Sequence, residues 1–390
     1  YGQPKLPYLN CGRESARGMK ICAWTGAGFV SQGVHFSLIS SRTPLRSICF
    51  RSTHFRRQSS NTVALKGLRC IWGSVVSKLI MPSSILDTPL NVKDPSAGGL
   101  GSKFVKKLGR GSERTSSQNG ENDVLSVAKD LRSRIMTMYG MFLSEDGSSV
   151  NYAALKKSPE FEDYCEVAAH LSECDPSSMN RSEKLAFFLN VYNSLLIHAM
   201  AVVEKPPSSV LARLVFYSSA KYSIGGLIYS LNDIENGILR GNRKPPAPLS
   251  PKPFKKGDPR LRVVVPDPVD ERIHFALNCG AKSCPPIRFF TTENVDITLA
   301  NAAASFVRDE SNVRIVESEC VVELSSIFDW YRVDFCGSSG SDSALLQKIA
   351  QYLEGRDDRL SNELRSKLLK MPNAKVRFAA YDWSLNESEV

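Results

Sequence analysis

The chain has 390 residues, 42% hydrophobic and 23% charged, with a formal net charge of +10. These proportions exclude a collagen-like, a wholly disordered or a disulfide-stapled miniature protein. The charge is unevenly placed, because residues 1–86 hold twelve Lys+Arg and one acid, Glu14, which leaves the rest of the chain close to neutral. A folded body without excess cations lacks the clustered charge that counterion release needs, so no nucleic-acid partner is expected for it.

The front segment is rich in Arg and Ser (SSRTPLRSICFRSTHFRRQSSNTVALKGLR) and has no acid between Met19 and residue 86. That is the composition of an organelle transit peptide, which needs positive charge and little fixed structure. Residues 1–86 therefore read as a disordered targeting segment with Met19 as its start. A plastid destination is favoured over a mitochondrion or the cytoplasm, and a basic tail for RNA or anionic lipid is the competing reading. Residues 93–122 carry six glycines among many Ser and Lys, so 87–122 is expected to be a flexible linker before a globular module at 123–390.

The module opens on a helix whose apolar residues, Val124, Ala128, Leu131, Ile135, Met138 and Phe142, recur three and four apart. This stripe is either core or, as a helix over 124–142, a surface for a protein partner. The next helix is predicted over 180–203, with Asn180 as cap and Glu183 in the capping-box position. It is apolar nearly all round, which places it inside a large core. Residues 185–203 lack a formal charge, but Asn190, Asn193, Ser194 and His198 in their midst argue against a transmembrane segment. Asn190 and Asn193 share a side of this helix, where they either clamp passing backbone or line a site.

Residues 220–241 read as a Gly-Gly turn leading to a short helix that stops at Gly241. The Pro-rich basic loop 243–260 is expected to be solvated, and its PxxP spacing makes it the second candidate docking surface. Residues 261–265 and 272–277 are predicted strands, and Thr292 is a predicted cap for a helix running to about Val307. A hairpin is expected from 313–316 and 320–324, then helices over 327–331 and 345–353. Helices outnumber the late strands, so the fold class is α+β: a mostly helical single globular domain with a small β-sheet, preceded by a disordered N-terminal extension. No phosphate-cradling glycine motif is present and no cofactor is expected.

Outside the front segment there are six cysteines, Cys165, Cys174, Cys279, Cys284, Cys320 and Cys336, with no CxxC pair, and they read as reduced thiols. The densest polar stretch runs from Arg272 to Pro286. As a strand it would place His274, Ala276 and Asn278 on one side, ending in a loop with Cys279 and Cys284. A thiol nucleophile needs a base, and His274 or His198 could serve either cysteine. Asn190, Asn193, Asn278 and Tyr192 would orient or bind the substrate. The blander reading makes both cysteines small buried hydrophobes and His274 a satisfied core residue. Zinc on His274, Cys279 and Cys284 lacks a fourth ligand, and carboxylate pairs at Asp233/Glu235 or Asp329/Asp334 have no distinguishing spacing.

The blocks RSEKLAFFLNVYNSLLIHAM, YSIGGLIYSLNDIENGILRGN, DPRLRVVVPDPVDERIHFALNCGAKSCPPIRFF and LSSIFDWYRVDF, in this order over roughly 175–340, resemble the plant and bacterial domain of unknown function 547. The closing KVRFAAYDWSLNES is similar to the end of its plant members. The family's motif positions correspond to Asn190, Tyr192, Asn193, His274, Asn278, Cys279, Cys284 and Pro285, while Asn232 stands where the family usually has Asp. The resemblance implies a module and not a reaction. Two functions remain open, a thiol-centred hydrolase or transferase with a Cys/His/Asn site, or a non-catalytic interaction or scaffold module.

Overall fold

The computed structural model describes residues 86–92, 119–144, 149–203, 206–247, 250–338 and 340–388, all within one unit of the chain, 62–390. The expected targeting segment up to residue 85 and most of the expected linker lie outside the described residues. Residues 86–92 belong to the fold: Leu90 N–H donates to Lys221 O at 2.9 Å, and the buried Asn91 amide bonds Ala168 O and both Ser223 backbone groups.

Helix α1 (Asn119–Phe142) lays Val124, Leu131, Ile135 and Met138 into the core, so these residues of the apolar stripe pack within the chain. Short α2 (Tyr152–Lys156) and α3 (Pro159–Ala169) follow, each with a side-chain cap, Asn151 and Ser158. Helix α4 (Arg181–Val202) begins at the expected capping box, with Asn180 and Glu183 bonded reciprocally. It is the one helix among the described residues long and apolar enough to cross a membrane, and 94% of its apolar window is buried inside the protein. Phe188, Leu189, Leu195 and Leu196 are fully enclosed, each contributing roughly 1.5–3 kcal/mol of burial, so α4 is the core helix.

Helix α5 (Val210–Ser219) leads into the hairpin β1 (Lys221–Ile224) and β2 (Leu227–Ser230), turned by Gly225 and Gly226, both at positive φ. A π-helical segment, Asp233–Leu239, then opens the normal ladder by one residue, as Arg240 N–H reaches Glu235 O. The Pro-rich loop is anchored and not simply solvated. Phe254 is buried beneath Gly237, where an added Cβ would lie 2.5 Å from its ring, and both Phe254 backbone groups bond Asn242.

Neither expected strand at 261–265 or 272–277 exists. Both regions are single 3₁₀ turns, Pro259–Val263 and Glu271–Phe275. The reason is local. Asp258 and Asp270 each accept the N–H two residues on, at Arg260 and Arg272, and also bind that residue's guanidinium. A short apolar run with such a cap and no ladder partner turns instead of extending.

Helix α6 (Val295–Arg308) starts after Asn294, which trades hydrogen bonds with Thr291, so Thr292 is not the cap. The predicted hairpin is present as β3 (Val313–Val316) and β4 (Val321–Leu324). Helices α7 (Ser326–Trp330), α8 (Arg332–Cys336), α9 (Asp342–Gln351) and α10 (Arg359–Lys370) follow, and β5 (Lys375–Phe378) joins β4 in parallel. The result is α+β as expected, with one two-stranded and one three-stranded sheet among the described residues. Two apolar clusters form, one around α4 and one among α6, α9 and β3–β5. The Glu271–Phe275 turn joins them: Ile273 enters the first, Phe275 the second, and His274 lies at their boundary.

Candidate functional site

The loop after this turn is held by amides of α4. Asn193 Nδ2 donates to Ala276 O at 3.0 Å and its Oδ1 accepts Asn278 N–H at 3.0 Å. Asn190 does the same one turn earlier, to Phe290 O at 2.7 Å and from Phe290 N–H at 3.1 Å. Asn278 extends the clamp by donating to Pro285 O and accepting Gly280 N–H. The α4 amides thus fix irregular backbone, the first of the two roles the sequence left open.

That clamped loop holds Cys279 and Cys284 as a disulfide, Cα to Cα 6.1 Å, which corrects the expectation of reduced thiols throughout. The geometric reason is the Gly280 turn at φ +75°, which folds the loop so that the second sulfur meets the first. Both cysteines are half-buried. Cys279 N–H and Ala281 N–H point at Cys284 Sγ from 3.0 and 3.4 Å. The Tyr381 hydroxyl lies 3.3 Å from Cys279 Sγ and 3.4 Å from Cys284 Sγ, and Tyr217 donates to Cys279 O at 2.9 Å. Burial pushes the Tyr381 phenol well above its ordinary value, so it stays protonated and acts as a donor.

Neither histidine joins the sulfurs. His274 Nε2 lies 2.9 Å from Asp334 Oδ2 on α8, and its ring stacks on Tyr331 at 3.7 Å. Asp334 also takes Arg240 Nε at 2.5 Å and Arg243 Nη1 at 2.9 Å. Burial would raise the Asp334 pKa, but hydrogen bonds from His274 and Arg240 prevail and hold it below the usual carboxylate range. His274 is lowered, chiefly by burial, with Asp334 opposing and Arg240 assisting. Beside this cluster, Glu235 accepts Tyr331 Oη–H at 2.5 Å and Tyr192 Oη–H at 3.4 Å. Tyr192 is therefore one wall of a buried Glu–Tyr–Arg–Asp–His network.

His198 belongs to a third group. Its Nδ1 is 2.8 Å from Tyr222 Oη and its Nε2 is 3.8 Å from Cys165 Sγ. The zinc trio is not assembled, since the sulfurs bond each other and His274 bonds Asp334. Asp233 and Glu235 do not act as a carboxylate pair either, because each has its own partners: Asp233 is held by Ser230 and Arg260, and Glu235 by the two tyrosines.

Sequence reasoning missed Tyr217, Tyr381 and Arg213, and considered Asp334 only as half of a carboxylate pair. The one available signal was the alternating aromatic pattern of Tyr381 and Trp383 near the end of the sequence.

A capped core helix that clamps a two-cysteine loop, with a buried ionic network alongside, defines an α+β module built around that loop. Residues 176–307 match the family model described as protein of unknown function, DUF547, so the chain contains a region similar to that family. No curated protein and no solved structure matches the chain.

Proposed function

We propose that the protein is a thiol-centred hydrolase or transferase in which Cys284 is the nucleophile and the disulfide is its oxidised resting form. The observation that carries this is the pair of backbone N–H groups aimed at Cys284 Sγ. Hydrogen bonds to the charged form favour it, so these amides stabilise a thiolate without an imidazole. Activation requires a dithiol reductant, which leaves as its own disulfide while both protein sulfurs are released as thiols. Cys284 then loses its proton to water.

The thiolate forms a C–S bond to an acyl carbon as the bond to the leaving group breaks. The leaving group takes its proton from the solvent. Water or an amine then attacks the thioester, the C–S bond breaks, and the proton released from the attacking group returns to the solvent. Asn193 and Asn278 are positioning residues, acting through the loop they hold.

Iodoacetamide labelling after reduction, followed across pH by mass spectrometry, tests the proposal. Cys284 should become half-reactive at a pH well below that at which free N-acetylcysteine does in the same assay. A Cys284 profile no lower than that of N-acetylcysteine refutes it. The same labelling tests the second reading, an interaction module, which is favoured by the scaffold contacts that occupy His274, Asn190, Asn193 and Asn278. Its surface would be the exposed α5 face bearing Val210, Leu211 and Leu214. For the front segment we propose organelle import, most simply into a plastid, supported by its acid-poor, Arg- and Ser-rich composition. A mature protein that still contains Arg56 and Arg57 refutes it.

A further inference from the structure

Residues 379–388 run extended across the disulfide loop. Lys282 N–H donates to Ser384 O at 2.9 Å, Asp382 N–H to Ser283 Oγ at 3.0 Å, and Asn386 N–H to Gly280 O at 3.1 Å. Ala281 faces Leu385 in an antiparallel bridge. Side chains alternate along the segment: Tyr381, Trp383 and Leu385 are half-buried, while Asp382 and Ser384 are exposed. This is how an extended peptide adds to a backbone edge, with main-chain bonds giving affinity and alternate side chains giving selectivity.

The inward side chains cover the chemistry. Tyr381 caps both sulfurs, at 3.3 and 3.4 Å. Trp383 stacks on Trp330 at 5.4 Å and lies 4.9 Å from the Arg213 guanidinium, which also donates to the Trp383 carbonyl. Arg213 is only 6% exposed, and no carboxylate among the described residues forms an ion pair with it. A buried cation needs compensation. Here much of it is a carbonyl and an aromatic face, both supplied by the segment.

We infer that the loop carrying Cys279 and Cys284, together with the α5 side chains Arg213 and Tyr217, forms a docking groove for an extended peptide with aromatic side chains two residues apart. Residues 379–388 are its resident occupant. Their release uncovers both sulfurs and Arg213 at once, so a peptide of the same pattern competes for the groove. The consequence for chemistry rests on the thiol-centred reading, whereas the docking stands without it.

The test uses the full-length chain carrying Tyr381→Ser and Trp383→Ser. After reduction, iodoacetamide should alkylate Cys279 and Cys284 about tenfold faster than in the unaltered protein, because labelling follows the population of the open form. A synthetic peptide with the sequence of residues 379–388 should return the double variant to the slow rate. The same peptide with both aromatics replaced by serine should not. Equal labelling rates in the two chains, or no effect of the aromatic peptide, overturns the inference.

Should the double variant not fold, hydrogen exchange on the unaltered protein decides. The amides of Lys282, Asp382 and Asn386 should exchange through a local opening while α4 stays protected. Exchange of these amides only together with α4 overturns the inference. Failure of the thiol-centred reading is separately visible, as an ordinary pH profile for Cys284 in chains whose labelling still responds to the peptide.

Discussion

Acid should weaken this protein through His198. Its ring is enclosed by Phe161, Tyr164 and Tyr222, with centroids 5.2, 5.6 and 5.7 Å away, and by the Cys165 thiol. Burial lowers its pKa from 6.5 to about 3. The titratable groups facing it are neutral, because burial raises Tyr164 and Tyr222 and pushes Cys165 up to about 12. No anion is therefore at hand to hold an imidazolium.

A folded pKa below the unfolded one means that the unfolded chain binds a proton which the native state refuses. The stability tied to His198 is then complete above about pH 6.5 and falls as pH drops toward about 3, at about 1.4 kcal/mol per pH unit. Between pH 7 and pH 5 this comes to about 2 kcal/mol. Urea unfolding followed by far-UV circular dichroism at pH 7, 6 and 5, on the protein and on His198→Gln, measures it. The stability difference between the two chains should move by about 2 kcal/mol in favour of the variant on acidification. Parallel pH dependences in the two chains would refute the reasoning.

Two further outcomes concern the site. Asp334→Asn removes the only carboxylate among the described residues bonded to Arg240, which is 4% exposed along its side chain, and should cost about 3–5 kcal/mol in urea unfolding; a loss below about 1 kcal/mol would show that the network is solvated. Asn193→Ala strands the buried Ala276 carbonyl and Asn278 N–H, each worth about 1–3 kcal/mol, and should lower Tm by several degrees. Asn193→Asp keeps the acceptor for Asn278 N–H and should lose less, so equal losses in the two variants would deny that both bonds matter.

What the sequence determined alone is what neighbouring residues decide among themselves. The Asn180–Glu183 capping box, the Gly225–Gly226 turn, the hairpin of β3 and β4 and the α1 stripe all depend on residues within a turn or two of each other. The candidate residues Asn190, Asn193, Asn278, Cys279 and Cys284 were also legible, and they do converge on one loop. Even locally the reading failed at 272–277, because apolar content suggested a strand while the Asp270 carboxylate, two residues before Arg272, captured its N–H and made a turn. Tertiary structure decided the partners. His274 meets Asp334 from 60 residues away and not the cysteines nearby, and Tyr381 reaches Cys284 across 97 residues. Such contacts depend on how two apolar clusters dock and on which buried charges must be paired, and no spacing along the chain encodes either.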